Sequence, residues 1–246
     1  MKWIIPIGGK GTRTQALGEF KPFIEIAGHK IMVWFLISIK RNIFPNDFFV
    51  FITTPYFSEK FQVQEEIKRI FQNLKIKNKF EVFSLEQEYP GVSGALYAVR
   101  SILETDDPVI VINPDQYLDF ILPREIPSKT GYLTVYAEFS HKSGYVDIQK
   151  GKITKFVEKN NISNLGSAGV FIISESRALL RAIRSQFKDG LMTNGEYYLG
   201  PAFNYLIKDG FDISPLPVKV KYDLGNISDI AYFVQTPLAK ALSQFL

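Results

Sequence analysis

Short apolar runs that end at glycine or polar residues recur along the first half of the chain. Runs of this length, rich in branched and aromatic side chains, are typical of buried strands. Longer segments between them carry apolar residues at helical spacing. The pattern predicts strands at 3–7, 23–26, 48–53, 79–85 and 109–112, and helices at 29–41, 58–72 and 91–103. This alternation of strand and helix favours a parallel, doubly wound sheet.

The pattern changes beyond position 115, because strand signals there follow one another with little helix between them. Such a succession favours antiparallel pairs, and the connection at 149–152, Gln-Lys-Gly-Lys, is typical of a hairpin turn. Strands are predicted at 131–138, 144–149, 152–158, 169–173 and 211–220, and helices at 175–187, 197–208 and 227–245, the last interrupted near Pro237. The predicted fold class is α/β, with a mixed, mainly parallel sheet flanked by helices and a smaller antiparallel lobe.

Composition sets limits on partners and location. The chain has 246 residues, and no linker rich in proline, glycine or serine separates its halves, so we expect one domain, 1–246, with lobes 1–115 and 116–246. A net charge of +4, spread along the chain, does not indicate a nucleic-acid partner. There is no cysteine, no signal-peptide pattern and no apolar run near the ~20 residues of a membrane span. We therefore expect a cytoplasmic protein without a membrane contact.

A glycine-rich loop, Gly8-Gly9-Lys10-Gly11-Thr12-Arg13, directly follows the first predicted strand. Glycines there let backbone N–H groups crowd around an anion, and Arg13 and Lys21 add positive charge that suits a triphosphate and departing pyrophosphate. A dinucleotide fingerprint starting at Gly9 would need glycine at Thr14, and a P-loop would need serine or threonine after Lys10. Neither of those two loops is therefore predicted.

The loop, together with Lys21-Pro22, resembles the opening motif of the nucleotidyltransferase family that includes the nucleoside-diphosphate-sugar pyrophosphorylases. The resemblance implies a Rossmann-like fold in which Arg13 and Lys21 act as catalytic phosphate-binding residues. It also implies nucleotide-binding roles for the loop residues Gly8, Gly9, Gly11 and Thr12. Leucine is usual in this family where the chain has Thr14.

Later motifs resemble the same family in the same order along the chain. The segment Gly91-Val92-Ser93-Gly94-Ala95, after Gln87, resembles the loop that contacts the base, which implies nucleotide-binding roles for Gln87, Gly91 and Ser93. Asp115 and Asp223 resemble the two metal-binding aspartates, which implies Mg²⁺ as cofactor. The remaining resemblances imply that the second lobe binds the acceptor through Glu158, Lys159, Glu196 and Tyr145. Departures are Pro114, Asn160 and Asn226, beside three of these motifs.

The motif set favours a Mg²⁺-dependent nucleotidyltransferase that joins an NTP to a small phosphorylated acceptor, with a sugar 1-phosphate as the leading choice, and releases pyrophosphate. Its products would feed surface-glycan synthesis, such as a polysaccharide capsule. The alternatives are a cytidylyltransferase for a non-sugar phosphomonoester such as phosphocholine or a phosphorylated amino-acid derivative, a non-catalytic nucleotide-binding homologue, and a glycosyltransferase. Asp115-Gln116-Tyr117 lacks the Asp-x-Asp common in the last class. His29 and His141 lie in no matched motif, and the apolar end Phe245-Leu246 is compatible with a homo-oligomer.

Overall fold

A computed structural model describes residues 1–9, 11–87, 89–140 and 142–244. Lys10 of the glycine loop, His141, and Phe245 and Leu246 at the end of the last predicted helix lie outside the described residues. The strands are β1 (Lys2–Pro6), β2 (Glu25–Ile26), β3 (His29–Lys30), β4 (Phe48–Thr53), β5 (Lys79–Ser84), β6 (Val109–Ile112), β7 (Gln116–Asp119), β8 (Thr130–Ala137), β9 (Gly144–Gln149), β10 (Lys152–Glu158), β11 (Leu165–Ile173), β12 (Asp212–Pro217) and β13 (Val220–Asp223). The α-helices are α1 (Ile31–Ile39), α2 (Pro55–Lys60), α3 (Val63–Asn73), α4 (Gly91–Ala98), α5 (Ser176–Lys188), α6 (Phe203–Lys208), α7 (Ile227–Gln235) and α8 (Pro237–Leu242).

One mixed sheet forms the centre of the described part of the chain. Its strand order is β10-β9-β11-β6-β1-β4-β5, with β8 also paired to β11 and β12 paired to β8. The strands of the first half, β6, β1, β4 and β5, are parallel to one another, whereas β11 runs antiparallel to β6, β8 and β9. The predicted α/β fold with a mixed sheet is confirmed, and the second half holds the expected antiparallel pairs together with one parallel pair, β8 and β12.

Hydrophobic side chains cover both faces of this sheet. Along β1, Trp3 and Ile5 belong to a cluster packed against α1 and α3, whereas Ile4 belongs to a cluster packed against α4, α5 and α6. Trp3, Ile4 and Ile5 are fully buried, as a strand covered on both faces requires. The glycine loop therefore follows a strand whose two faces are both buried.

Several predicted elements are divided in the structure. The single helix predicted at 58–72 is two helices in the structure. The first, α2, begins earlier, at Pro55, and its N-cap is Thr54. The helix is then interrupted at Gln62, which has φ of 45°, before α3 begins. Similarly, the strand predicted at 211–220 ends at Pro217, and a separate strand, β13, follows at Val220–Asp223. Proline lacks the N–H that would continue a ladder.

The helices predicted at 29–41, 91–103 and 197–208 are shorter in the structure. Residues 29–30 form the strand β3, and 3₁₀ turns replace the α-helix at 40–42, 100–103 and 200–202. By contrast, the hairpin turn predicted at 149–152 is confirmed, since Lys150 and Gly151 both have positive φ, 49° and 76°, between the antiparallel β9 and β10. No helix among the described residues is long and apolar enough to cross a membrane.

Candidate active site

The glycine loop lies where β1 and β4 end. A Cβ atom on Gly8 would lie 3.2 Å from the Cα of Thr53, the last residue of β4, so a side chain would crowd this position. Gly11 has φ of 58°, a conformation that favours glycine, and caps the 3₁₀ turn Thr12–Thr14. The Thr14 amide and hydroxyl both donate to the Gly11 carbonyl, at 2.9 and 3.0 Å. This turn leaves Thr12 and Arg13 exposed at the mouth of the loop.

An ion pair joins the loop region to the end of β6. Lys21 Nζ donates to Asp115 Oδ2 at 2.7 Å, and the two side chains are only 19% and 25% exposed. A Cβ on Gly225 would lie 3.1 Å from Asp115 Oδ2 and 3.8 Å from an Arg13 guanidinium nitrogen. The structure therefore brings together Arg13, Lys21 and Asp115, which are widely separated in sequence.

The charge of Asp115 is stabilised by these cations. Burial acts to raise the pKa of its carboxyl, but the charge and hydrogen bond of Lys21, with help from Arg13, outweigh burial and lower the pKa. Asp115 is therefore ionised at neutral pH, in the form that accepts hydrogen bonds or binds a cation.

The second predicted metal ligand, Asp223, is on the strand beside Asp115. β13 runs antiparallel to β7 with Asp223 opposite Gln116, and the Leu224 amide donates to the Asp115 carbonyl at 2.8 Å. Within the described part of the chain, no group of three or more His, Cys, Asp or Glu residues is placed to hold a metal ion. Mg²⁺ is commonly held by one or two carboxylates with waters and phosphate oxygens, so these two hard-oxygen donors fit its chemistry.

The predicted base-binding segment is locked to the second half of the chain. Gly91 has φ of 77°, and a Cβ there would lie 2.5 Å from the carbonyl oxygen of Tyr197. The Ser93 amide donates to that carbonyl at 3.0 Å, and the buried Ser93 hydroxyl donates to the Tyr198 carbonyl at 3.3 Å. Gln87 is exposed and its amide nitrogen donates to the Tyr89 hydroxyl at 2.9 Å. The nucleotide-binding roles of Gln87, Gly91 and Ser93 stay predictions.

Charged residues of the predicted acceptor site cluster around Tyr198. Lys159 donates to the Tyr198 hydroxyl and its ammonium lies 4.4 Å from the centre of that ring. Burial raises the pKa of Glu158 to about 7; Lys159 opposes the shift and Glu196 adds to it. Glu196 also helps to raise the pKa of Tyr198. The structure therefore places Lys159, Glu158 and Glu196 close enough to influence one another, and their acceptor-binding roles stay predictions.

Tyr145 is placed differently from these three residues. Its side chain is fully buried, and among the described residues its hydroxyl has no hydrogen-bond partner. Gly144 beside it accommodates a core ring, since a Cβ there would lie 2.2 Å from a Phe156 ring carbon. Tyr145 thus packs in the core, and its predicted contact with an acceptor stays a prediction.

Three further polar residues, Tyr136, Glu138 and Lys221, lie near Asp223 and carry no motif. Lys221 forms an ion pair with Asp223 and its ammonium lies 4.6 Å from the centre of the Tyr136 ring. The Tyr136 hydroxyl donates to Glu138, whose pKa falls to about 2 because hydrogen bonds from Tyr136, Ser140 and Phe139 outweigh burial. The sequence offers one sign that Lys221 lies near Asp223: residues two positions apart on a strand have side chains on the same face.

The raised pKa of Glu158 predicts a specific pH dependence of stability. A carboxyl with pKa about 7 in the folded state and 4.5 as its usual value destabilises the fold once ionised. Its cost is absent below pH 4.5, grows as pH rises from 4.5 to 7, and is then constant. Because this half-buried group is partly screened by solvent, we expect Glu158→Gln to stabilise the protein by ~1–2 kcal/mol at pH 8 and by little at pH 4.5.

Urea unfolding of the wild type and Glu158→Gln at a series of pH values measures this difference. Glu81→Gln, at an exposed position on β5, is the matched control. A Glu158→Gln difference that does not grow between pH 4.5 and 7 would contradict the raised pKa.

Known proteins resemble this chain in sequence and in fold. A family model described as nucleotidyl transferase matches residues 2–232. The catalytic subunit beta of mannose-1-phosphate guanylyltransferase from Dictyostelium discoideum is 28% identical over 197 residues, which are 71% of this chain and 50% of that protein. The chain thus spans about half the length of this curated relative.

Solved structures share the fold. The nucleoside-diphosphate-sugar pyrophosphorylase from Vibrio cholerae RC9 matches with a TM-score of 0.82 and 21% identity, over 95% of this chain and 100% of that one. The inositol-1-phosphate CTP transferase from T. maritima matches with a TM-score of 0.71 and 13% identity, over 99% and 94%. The family match covers nearly the whole chain, from β1 into α7. It confirms the family that the motifs resemble: the chain belongs to the nucleotidyl transferase family of enzymes.

Proposed function

We propose that this protein transfers a nucleoside monophosphate unit from an NTP to a small phosphorylated acceptor, with a sugar 1-phosphate as the leading acceptor. The observation that carries the proposal is the Lys21–Asp115 ion pair at the end of β6, beside the Arg13 guanidinium and the glycine loop. The carboxyl ends of strands in open α/β sheets are where ligands bind. Two fixed cations there suit a triphosphate.

In the proposed reaction, a phosphate oxygen of the acceptor attacks the α-phosphorus of the NTP. The new P–O bond forms as the bond from the α-phosphorus to the bridging oxygen breaks, and pyrophosphate leaves with that oxygen and its electron pair. The acceptor phosphate is already ionised at neutral pH, so the step needs no proton removal by a side chain. Catalysis is then mainly positioning and charge neutralisation.

The chain's residues would supply those two effects. Arg13 and Lys21 would neutralise charge on the triphosphate, and the ion pair with Asp115 fixes the position of the Lys21 ammonium. Backbone amides of a glycine-rich loop at this position would add donors for phosphate oxygens. Asp115 and Asp223 would hold Mg²⁺, which would supply further neutralisation of the phosphate oxygens.

The second half of the chain is proposed to bind the acceptor. Lys159 would contact its phosphate, while the carboxyls of Glu158 and Glu196 suit hydroxyl groups of a sugar because a carboxyl group accepts hydrogen bonds whether or not it is protonated. A mannose-1-phosphate guanylyltransferase and a UDP-glucose pyrophosphorylase are among the similar proteins, which supports a sugar 1-phosphate.

A cytidylyltransferase for a non-sugar phosphomonoester is the second candidate. Its support is the fold shared with an inositol-1-phosphate CTP transferase, together with Pro114 beside the first predicted metal-binding aspartate.

We further propose a cytoplasmic location, a role in surface-glycan synthesis and self-association into a homo-oligomer.

An activity matrix tests the reaction and identifies the substrates together. The purified protein is incubated with Mg²⁺, each of ATP, CTP, GTP, UTP and dTTP, and each of glucose 1-phosphate, mannose 1-phosphate, inositol 1-phosphate and phosphocholine. Pyrophosphate release that requires both substrates supports the proposal. Release only when CTP is combined with phosphocholine or with inositol 1-phosphate would establish the second candidate. No release with any pair of substrates would argue against both candidates.

A substitution at Lys159 tests the acceptor site. Because a charge-assisted contact to phosphate is worth ~1.5–3 kcal/mol, we expect Lys159→Met to raise the KM for the acceptor by about 10–100-fold. The KM for the NTP should change little. Lys155→Met, at an exposed position on the same strand, is the matched control. An unchanged KM for the acceptor in Lys159→Met would show that Lys159 does not bind the acceptor.

A further inference from the structure

Lys221 has an unusual position for a surface-strand lysine. Its side chain is only 11% exposed, whereas that of its ion-pair partner Asp223 is 51% exposed. Both residues are on β13 and are two positions apart, so their side chains leave the same face of the strand. The ammonium is therefore more deeply placed than the predicted metal carboxylate that it contacts.

An aromatic ring holds the Lys221 ammonium from another direction. The ring of Tyr136 lies 4.6 Å from it, within the range of a cation–π contact. Tyr136 is itself fixed, because its hydroxyl is hydrogen-bonded to Glu138 and lies 2.9 Å from the Ser143 hydroxyl. Glu138 in turn accepts from the amides of Phe139 and Ser140, at 2.9 and 2.7 Å. The ammonium is thus confined between one carboxylate and one fixed ring.

A divalent cation and this ammonium would use the same carboxylate. Asp223 Oδ1 already accepts from Lys221, and two positive ions beside one oxygen repel each other. A largely buried ammonium that loses its partner is costly unless another anion replaces it. In a site that receives a triphosphate and a phosphorylated acceptor, that anion would be a phosphate group.

We propose that the Lys221 ammonium pairs with Asp223 until a divalent cation binds that carboxylate, and that the ammonium then pairs with a phosphate group bound at the site. Competition with the cation follows from the Lys221–Asp223 contact together with the proposed role of Asp223 as a metal ligand, and the phosphate partner also rests on the proposed function. Lys221 lies outside the segments of this chain that resemble the family's motifs. The two parts have separate tests.

The first test measures metal binding by the protein alone, without nucleotide or acceptor. Mn²⁺ is titrated against the wild type and Lys221→Met, and free Mn²⁺ is followed by electron paramagnetic resonance. Removing a competing charge predicts Mn²⁺ binding that is about fivefold tighter in Lys221→Met. Lys219→Met, at an exposed position just before β13, should behave as the wild type.

Tighter binding is a readout that general damage to the site would not produce. An affinity of Lys221→Met for Mn²⁺ that is equal to or weaker than that of Lys219→Met overturns the competition. Lys221→Arg keeps the positive charge and should therefore bind Mn²⁺ with the wild-type affinity. With this second variant the test does not depend on whether Lys221→Met folds normally. Since no turnover is involved, a failure here is distinguishable from a failure of the proposed reaction.

The second test uses inorganic pyrophosphate as the anion, at saturating Mn²⁺, with binding measured by calorimetry. We expect Lys221→Met to bind pyrophosphate about tenfold more weakly than the wild type, and Lys221→Arg to bind it within about threefold of the wild type. Equal pyrophosphate affinities in Lys221→Met and Lys219→Met would overturn the phosphate contact. If the pyrophosphate affinities are equal and the wild type is nevertheless active in the substrate matrix, Lys221 does not contact phosphate and the proposed function still holds.

Discussion

Replacing Asp115 by Asn is expected to lower kcat by about 100-fold or more, because the candidate site loses a negative charge that positions Lys21 and is proposed to bind Mg²⁺. The substitution keeps the size of the side chain and removes only the charge. Lys21, 19% exposed, then has no carboxylate at 2.7 Å, so we also expect a stability loss of about 1 kcal/mol. Steady-state pyrophosphate release on the substrate pair found in the matrix measures the rate.

Asp209→Asn is a matched control, because Asp209 is exposed at the end of α6 and should tolerate the change in both rate and stability. The rate comparison must be made under conditions where urea unfolding shows both variants to be folded. Turnover in Asp115→Asn within a few-fold of that control would place the reaction elsewhere in the molecule.

Replacing Gly91 by Ala is expected to destabilise the protein by ~3 kcal/mol or more. A Cβ at this position would lie 2.5 Å from the Tyr197 carbonyl oxygen and 2.8 Å from the Tyr197 backbone carbon and nitrogen, so backbone has to move. The positive φ of 77° adds a conformational cost. Urea unfolding measures the loss, and hydrogen exchange at the Ser93 amide reports whether its bond to Tyr197 opens.

Gly210→Ala separates these two causes. Gly210 has φ of 82°, but no described heavy atom lies within 4 Å of a Cβ built there, so only the conformational cost of about 1 kcal/mol is expected. The difference of ~2 kcal/mol between the two variants is then the cost of the close contact. Equal losses at both glycines would show that the segment from Pro90 to Ser93 is not packed on Tyr197.

Four strands of the main sheet could be predicted from the sequence with the bounds that the structure has. Phe48–Thr53, Val109–Ile112, Gly144–Gln149 and Lys152–Glu158 have the predicted bounds, since each is an apolar or alternating run between clear turn signals. The strand Gln116–Asp119 was not predicted. It is short, its residues are mixed in character, and it is completed by a partner, β13, about a hundred positions away in the chain. Pairing over that distance is a property of the whole fold.

The site was predictable to a similar extent. Arg13, Lys21 and Asp115 carry recognisable motifs, and the rule that ligands bind at the carboxyl ends of strands places them together, as the structure does. Tyr136 and Lys221 carry no motif, and only the packing of β13 near β8 gives them a place beside Asp223. Tyr145 is the opposite case. Its resemblance to the family predicts a contact with the acceptor, whereas its side chain is fully buried in the structure.

In the proposed reaction the bond that breaks lies at the α-phosphorus, and this can be followed with a radioactive label. The protein is incubated with the acceptor and the NTP found in the matrix, labelled with ³²P at either the α or the γ position. We expect the α label to appear in a new product that contains the acceptor, and the γ label to appear in pyrophosphate. Release of the γ label as inorganic phosphate, with the α label remaining in a nucleoside diphosphate, would contradict the account.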